Sequence, residues 1–258
     1  MTNRIETLFA EKKNRILSVY FTAGFPNLTD TVPVIEALEQ SGADLIEIGM
    51  PFSDPLADGP VIQDSSTKAL KNGMSIPVLF DQIKDIRKTV QIPLILMGYI
   101  NPVMQYGIEK FAEKAAQTGI DGVIIPDLPM QEYLDDYKST FDKFNLRNIF
   151  LITPQTKPER VKFIDDNSKG FIYMVSSAST TGTKEGTADS QIGYFERINS
   201  MNLKNPRLIG FGIKDKDSFN RACEYANGAI IGTAFIKALN EGNENAVETT
   251  KKFVKSII

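Results

Sequence analysis

Apolar positions along this chain gather in short runs. Polar or glycine-rich turns and stretches of helical periodicity separate them. The runs are ILSVYFTA from Ile16, DLIEIG from Asp44, PLILMGY from Pro93 and DGVIIPD from Asp121. NIFLIT from Asn148, GFIYMVS from Gly170, RLIGFG from Arg207 and GAIIGT from Gly228 complete a set of eight. Continuous apolar runs suit strands covered on both faces, as in parallel sheets. Between them, TDTVPVIEALEQSG puts Val34, Ile35 and Leu38 on one helical face and stops at Gly42. IEKFAEKAAQTG starts after Gly107 and stops at Gly119, and glycine just past a helix is a C-cap signal. Strand and helix alternating eight times predict an α/β fold, a (β/α)8 TIM barrel. A doubly wound open sheet shares the alternation. The count of eight, and the lack of a GxGxxG turn after the first run, favour the barrel. Ile5, Leu8 and Phe9 mark an additional N-terminal helix that closes one end. The chain reads as one domain, residues 1–258.

Composition narrows the function. The chain has 258 residues, 42% hydrophobic and 24% charged, with a net charge of −3. Its pI is near 5.3 and no basic stripe is visible, which argues against nucleic acid as a partner. The start lacks the apolar core of a signal peptide, and no run approaches the roughly 20 apolar residues of a membrane span. One cysteine, Cys223, forms no intrachain disulfide and suits a cytoplasmic setting; it reads as a buried small hydrophobe in a helix. The chain contains no histidine, so Ser-His-Asp triads and His-containing zinc sites are excluded. Acid–base work falls to Asp, Glu, Lys or Tyr.

In such barrels chemistry sits where strands end and βα loops begin. The stretch ADLIEIGMPFSDPLADGPVIQ carries the clearest candidates. Period-two alternation puts Leu45, Glu47 and Gly49 on one face, with Ile46 and Ile48 on the other. Glu47 then points into the barrel near its mouth. Desolvation there raises a carboxyl pKa, which suits a group that both gives and takes a proton. A structural ion pair with Lys or Arg is the alternative. Asp54 and Asp58 lie in the next loop among Pro51, Pro55 and Pro60, which limit its conformations. Pro60 suits a first helical residue, so Asp58 fits an N-cap as well as it fits catalysis. Asp54 fits a turn former.

Phosphate-binding barrels often use the loops after strands seven and eight. Gly212 and Gly232 in those loops admit an anion close to backbone N–H groups, and Thr233 adds a hydroxyl at a helix start. Simple chain reversal is the plainer reading of both glycines. After the sixth run, a polar stretch of about fifteen residues from Ser176 has the length of a lid. Lys184 in it is expected to be a preferred trypsin site that a substrate analogue protects.

EIGMPFSDPLADGPVIQ resembles the signature of the tryptophan synthase alpha family, close to E-[LI]-G-x-P-F-S-D-P-x-A-D-G-P-x-I-Q. The similarity runs on through GYINP, PDLP, GFGI and the final Gly-Thr. The resemblance implies a lyase of L-tryptophan biosynthesis that splits indole-3-glycerol phosphate into indole and glyceraldehyde 3-phosphate by a retro-aldol reaction, without a metal. It makes Glu47 and Asp58 catalytic: Glu47 moves the proton between the glycerol hydroxyl and indole C3, and Asp58 holds the indole N–H. Asp54 matches a loop residue that signals to the partner. Tyr99 and Tyr173 match indole-pocket residues, Tyr20 stands where another member has Phe, and each also fits core packing. Asp127, on a neighbouring βα loop, joins the substrate-binding set with Thr181, Gly182, Gly212, Gly232 and Thr233. Thr181 and Gly182 lie in the lid, which here reads Ser176-Ser177-Ala178-Ser179-Thr180-Thr181-Gly182 and lacks the family's usual Arg and first Gly. The implied partner is a beta subunit in an alpha2beta2 heterotetramer that receives the indole; it carries pyridoxal phosphate, and no cofactor is expected on this chain. Another phosphate-sugar barrel enzyme, or a non-catalytic activating subunit, is the competing reading. The proline-rich loop opposes the first, and retention of both Glu47 and Asp58 the second.

Overall fold

The structure is a computed structural model that describes residues 2–176, 188–242 and 245–258, with the side chains of 188–190 left out. The eight apolar runs form β1 (Ile16–Thr22), β2 (Leu45–Gly49), β3 (Leu94–Met97), β4 (Gly122–Ile124), β5 (Arg147–Ile152), β6 (Ile172–Val175), β7 (Arg207–Gly210) and β8 (Gly228–Ile231). All neighbours are parallel, and the ring closes through β8 against β1. This is the (β/α)8 barrel that the alternation predicts.

Two apolar clusters follow from the strands' alternation. Inside the barrel, Ile16, Leu45, Ile95, Ile124, Ile149, Tyr173, Leu208 and Ile230 pack together. Outside it, Ile46, Ile48, Leu94, Leu96 and Val123 pack against the helices. The alternation read for β2 is therefore the one the barrel uses. Helix Thr31–Gln40 buries Val34, Ile35 and Leu38, and helix Ile108–Gln117 buries Phe111, Ala112 and Ala115. Gly42 (φ 101°) and Gly119 (φ 80°) follow them in the left-handed region, which glycine enters without a Cβ clash.

The N-terminal helix Arg4–Glu11 stops the bottom of the barrel. The Asn3 side chain caps it by accepting from the Ile5 N–H, and Ile5 and Phe9 enter the inner cluster. Phe9 meets Phe171 with ring centroids 5.6 Å apart. A charged clasp surrounds this stopper. Asp121, 4% exposed, receives Arg4 at 3.1 Å, Arg87 at 2.5 Å and the Leu94 N–H at 3.0 Å. Cys223 is half-buried rather than enclosed, and burial pushes its thiol pKa up. Among the described residues, no helix is long and apolar enough to cross a membrane.

Candidate active site

Glu47 sits in the middle of β2, with Ile46 and Ile48 turned outward into the helices. That register leaves its side chain in the barrel, where it is 0% exposed. Oε1 accepts a hydrogen bond from Ser18 Oγ at 2.8 Å, whereas Oε2 is buried and unpartnered. Burial pushes the carboxyl up to about 8, against a smaller downward pull from Ser18. No cation pairs with Glu47 among the described residues, so the ion-pair alternative falls away.

Asp58 precedes helix Pro60–Lys71. The N-cap of that helix is Gly59, and no side chain caps it. Asp58 is therefore not spent as a cap. Its Oδ2 accepts from Tyr99 Oη at 3.1 Å, and the same Oη accepts from the Ala57 N–H at 2.9 Å. Tyr99 follows β3, so one phenol pins the loop after β2 to the top of its neighbour. Burial pushes Asp58 up to about 6, partly opposed by Tyr99. Tyr99 stacks at a tilt on Phe52, with centroids 5.3 Å apart. Asp54 is exposed; its side chain accepts from Ser53 and its carbonyl from the Leu56 N–H, which is a turn former's pattern.

Two more tyrosines bring the carboxyls into one electrostatic neighbourhood. Tyr20 pairs across the β1–β2 ladder with Glu47. Tyr173 comes from β6, across the barrel. Both are buried, and burial raises both phenols, with further upward pushes from the charges of Asp58 and Glu47. Each ring lies over a glycine of the next strand. A Cβ at Gly49 would stand 2.3 Å from Tyr20 Oη, and one at Gly210 would stand 2.1 Å from Tyr173 Oη.

Tyr20, Met50, Phe52, Asp58, Met97 and Tyr99 line a narrow recess. Aromatic and thioether groups with one carboxylate suit a flat, weakly polar ring bearing one donor. Glu47 adjoins this recess through Tyr20 but is not among its lining side chains.

The far side of Tyr20 meets the expected phosphate end. A Cβ at Gly232 would lie 3.2 Å from the Tyr20 ring. Gly232 is the N-cap of helix Thr233–Glu241, without a side-chain cap, so Thr233 opens a helix whose first N–H groups have no side-chain partner. Gly212 has φ 76° and follows Phe211 at φ 68°, whose carbonyl accepts from Ser176 Oγ at 2.6 Å. Asp127 is exposed and receives the Ile100 N–H at 3.0 Å, so it caps the helix Ile100–Tyr106 from a neighbouring loop. Thr181, Gly182 and Lys184 lie outside the described residues.

Sequence reasoning passed over Ser18, Phe52, Met97 and the glycines under the tyrosines. A signal for Ser18 was present: it is a lone hydroxyl in an apolar strand, two residues before Tyr20 and hence on the same face. Gly49 and Gly210 end apolar strands, where glycine often marks a close approach.

This arrangement matches known proteins along its full length. The pattern described as "Tryptophan synthase alpha chain" matches residues 6–257. The tryptophan synthase alpha chain of Flavobacterium psychrophilum is 60% identical over 255 residues, covering 99% of both chains. That of Parabacteroides distasonis is 52% identical over 255 residues, again covering 99% of both. The crystal structure of tryptophan synthase subunit alpha from Legionella pneumophila str. Paris superposes with a TM-score of 0.89 at 33% identity, covering 100% of this chain and 97% of that one. A chain of the tryptophan synthase complex from Pyrococcus furiosus gives 0.86 at 33% identity, covering 95% and 98%. With a closed eight-stranded barrel, two perturbed carboxyls on β2 and the loop after it, and this degree of identity over nearly every residue, the chain belongs to the tryptophan synthase alpha chain family.

Proposed function

We propose that Glu47 and Asp58 perform the alpha reaction of this family, in which the chain acts as a lyase, cleaving indole-3-glycerol phosphate to indole and glyceraldehyde 3-phosphate. The observation that carries this assignment is the placing of two carboxyls from β2 and its loop, Glu47 buried in the barrel on Ser18 and Asp58 held by Tyr99 in the neighbouring recess, where burial pushes Glu47 up to about 8 and Asp58 up to about 6. At neutral pH the first is mostly an acid and the second mostly an anion. Groups driven apart by their surroundings can take opposite roles in one reaction.

The proton on Glu47 goes to indole C3, which creates an iminium at the ring N–H. The Asp58 carboxylate faces that positive charge. Glu47, now ionised, takes the proton of the side-chain hydroxyl. The carbonyl forms, the bond to C3 breaks, and its electron pair restores the aromatic ring. Glu47 ends as it began, protonated. The recess beside Tyr20 and Tyr99 takes the ring, which parts the aromatic wall to reach Glu47. Tyr173 supports the opposite side. Gly212, Gly232 and Thr233 take the phosphate by backbone N–H groups and a helix dipole. Asp127 acts from the loop edge, by holding the turn that carries Tyr99.

The tryptophan synthase complex from Pyrococcus furiosus supports a partner subunit for this chain as well. The family resemblance extends that reading to a beta subunit in an alpha2beta2 heterotetramer, with pyridoxal phosphate on the partner and none on this chain. Tryptophan biosynthesis in the cytoplasm is the setting this reading implies.

The test is indole release from indole-3-glycerol phosphate, with and without a beta subunit. Glu47→Gln should lose about 10²–10⁴-fold in kcat. Asp58→Asn should lose about 10²–10³-fold. Unchanged indole release in either variant would remove that residue from the mechanism.

A further inference from the structure

Ser18 lies on β1 with its side chain turned into the barrel. The β1–β2 register sets Tyr20 opposite Glu47 and Ser18 opposite Leu45, so the Ser18 hydroxyl reaches Glu47 diagonally from below. Ser18 and Glu47 are both 0% exposed. The hydroxyl donates to Oε1 at 2.8 Å. The other oxygen, Oε2, is buried and has no partner. A buried carboxyl with one oxygen satisfied and the other left open is an asymmetric group, and unpaired buried polar atoms call for an explanation.

We propose that Ser18 is a positioning residue for the alpha reaction: it holds Glu47 by Oε1, so that the acid proton resides on Oε2, the oxygen left open to the substrate. This rests on the reading of Glu47 as the proton carrier. A neutral carboxyl has one hydroxyl oxygen and one carbonyl oxygen. An oxygen that already accepts from Ser18 serves as the carbonyl one, which assigns the proton to Oε2. When that proton leaves for indole C3, the same hydrogen bond stabilises the carboxylate that remains. Ser18 therefore acts on both halves of the cycle. It fixes which oxygen gives and takes the proton, and it limits how far burial drives the carboxyl up. A serine that merely filled space would do neither.

The experiment uses the full chain, alone and with a beta subunit, as Ser18→Ala, Ser18→Cys and Ser18→Thr. Two quantities are followed against pH: kcat/KM for indole release, and the infrared band of the protonated Glu47 carboxyl, identified by its loss in Glu47→Gln. Without the hydroxyl the charged form loses its donor, so the titration moves up. Ser18→Ala should shift the basic limb and the band titration together by about one pH unit, with kcat lowered several-fold and KM held. Ser18→Cys, a weak donor of similar size, should fall between Ala and wild type, and it serves if Ser18→Ala does not fold. Ser18→Thr, which keeps the hydroxyl, should restore the limb and the band. An unmoved limb and band in folded Ser18→Ala or Ser18→Cys, beside an inactive Glu47→Gln, overturns the role of Ser18 alone. Full indole release by Glu47→Gln overturns the proton-carrier reading and this one with it.

Discussion

A carboxyl that titrates near 8 inside the fold and near 4.5 in an open chain makes stability depend on pH. Below 4.5 both states hold the proton and the difference costs nothing. As pH climbs from 4.5 to 8, the unfolded chain releases a proton that the folded one retains, so stability drains away across that window. The loss levels off above 8, at a few kcal/mol. Glu47→Gln removes the titration, so its Tm should exceed that of wild type by a margin that grows from pH 5 to pH 8. The wild-type kcat/KM should be bell-shaped. Its acidic limb near 6 comes from Asp58, which must be ionised, and its basic limb near 8 from Glu47, which must be protonated. Tyr99→Phe deletes the donor to Asp58 and the acceptor of the Ala57 N–H. The acidic limb should move up by about one pH unit, and KM should rise as the loop loosens. Glu47 was legible in the sequence because an acid in an apolar strand breaks a period-two pattern. The choice between cap and catalyst for Asp58 was not. Gly59 takes the cap position, and Tyr99, which holds the Asp58 side chain instead, is 41 positions away, a contact about which local pattern carries no information.

At the level of elements, the strands were readable because both of their faces are covered and their apolar runs are continuous. The register between them was not. It decides that Tyr20 faces Glu47 and that the Tyr20 and Tyr173 rings lie over Gly49 and Gly210. A methyl group at either glycine would meet a phenol at 2.3 Å or 2.1 Å. Gly49→Ala and Gly210→Ala should each cost about 1–3 kcal/mol by overpacking. Each should also displace its ring from the site, so kcat/KM should fall even in the fraction that stays folded. Urea unfolding, paired with indole release by the folded protein, separates the two effects. Helices with clear amphipathic faces and glycine stops, such as Thr31–Gln40 and Ile108–Gln117, were predicted closely. The phosphate reading was harder, because glycines in a βα loop serve chain reversal and anion binding alike.

The molecule as a whole separates its two ends. Tyr99, Asp58 and Gly232 gather at the C-terminal mouth, while Asp121 and its two arginines tie the opposite end. Asp121→Ala would remove the buried carboxylate and leave the mostly covered Arg87 guanidinium without its ion-pair partner. It should destabilise the fold by about 3–5 kcal/mol while the folded fraction keeps near wild-type kcat; a large loss of kcat at full folding would contradict this division. The stopper helix belongs to the tied end, and its fastenings span much of the chain. Asn3 reaches the carbonyls of Asp121 and Asn145, and Glu6 pairs with Arg147 at 2.7 Å. During synthesis the ribosome makes this helix before anything else in the barrel, yet its last fastenings emerge well over a hundred residues later. An element made this early is thus locked late, and until then Ile5 and Phe9 are apolar side chains in want of a host on the nascent chain.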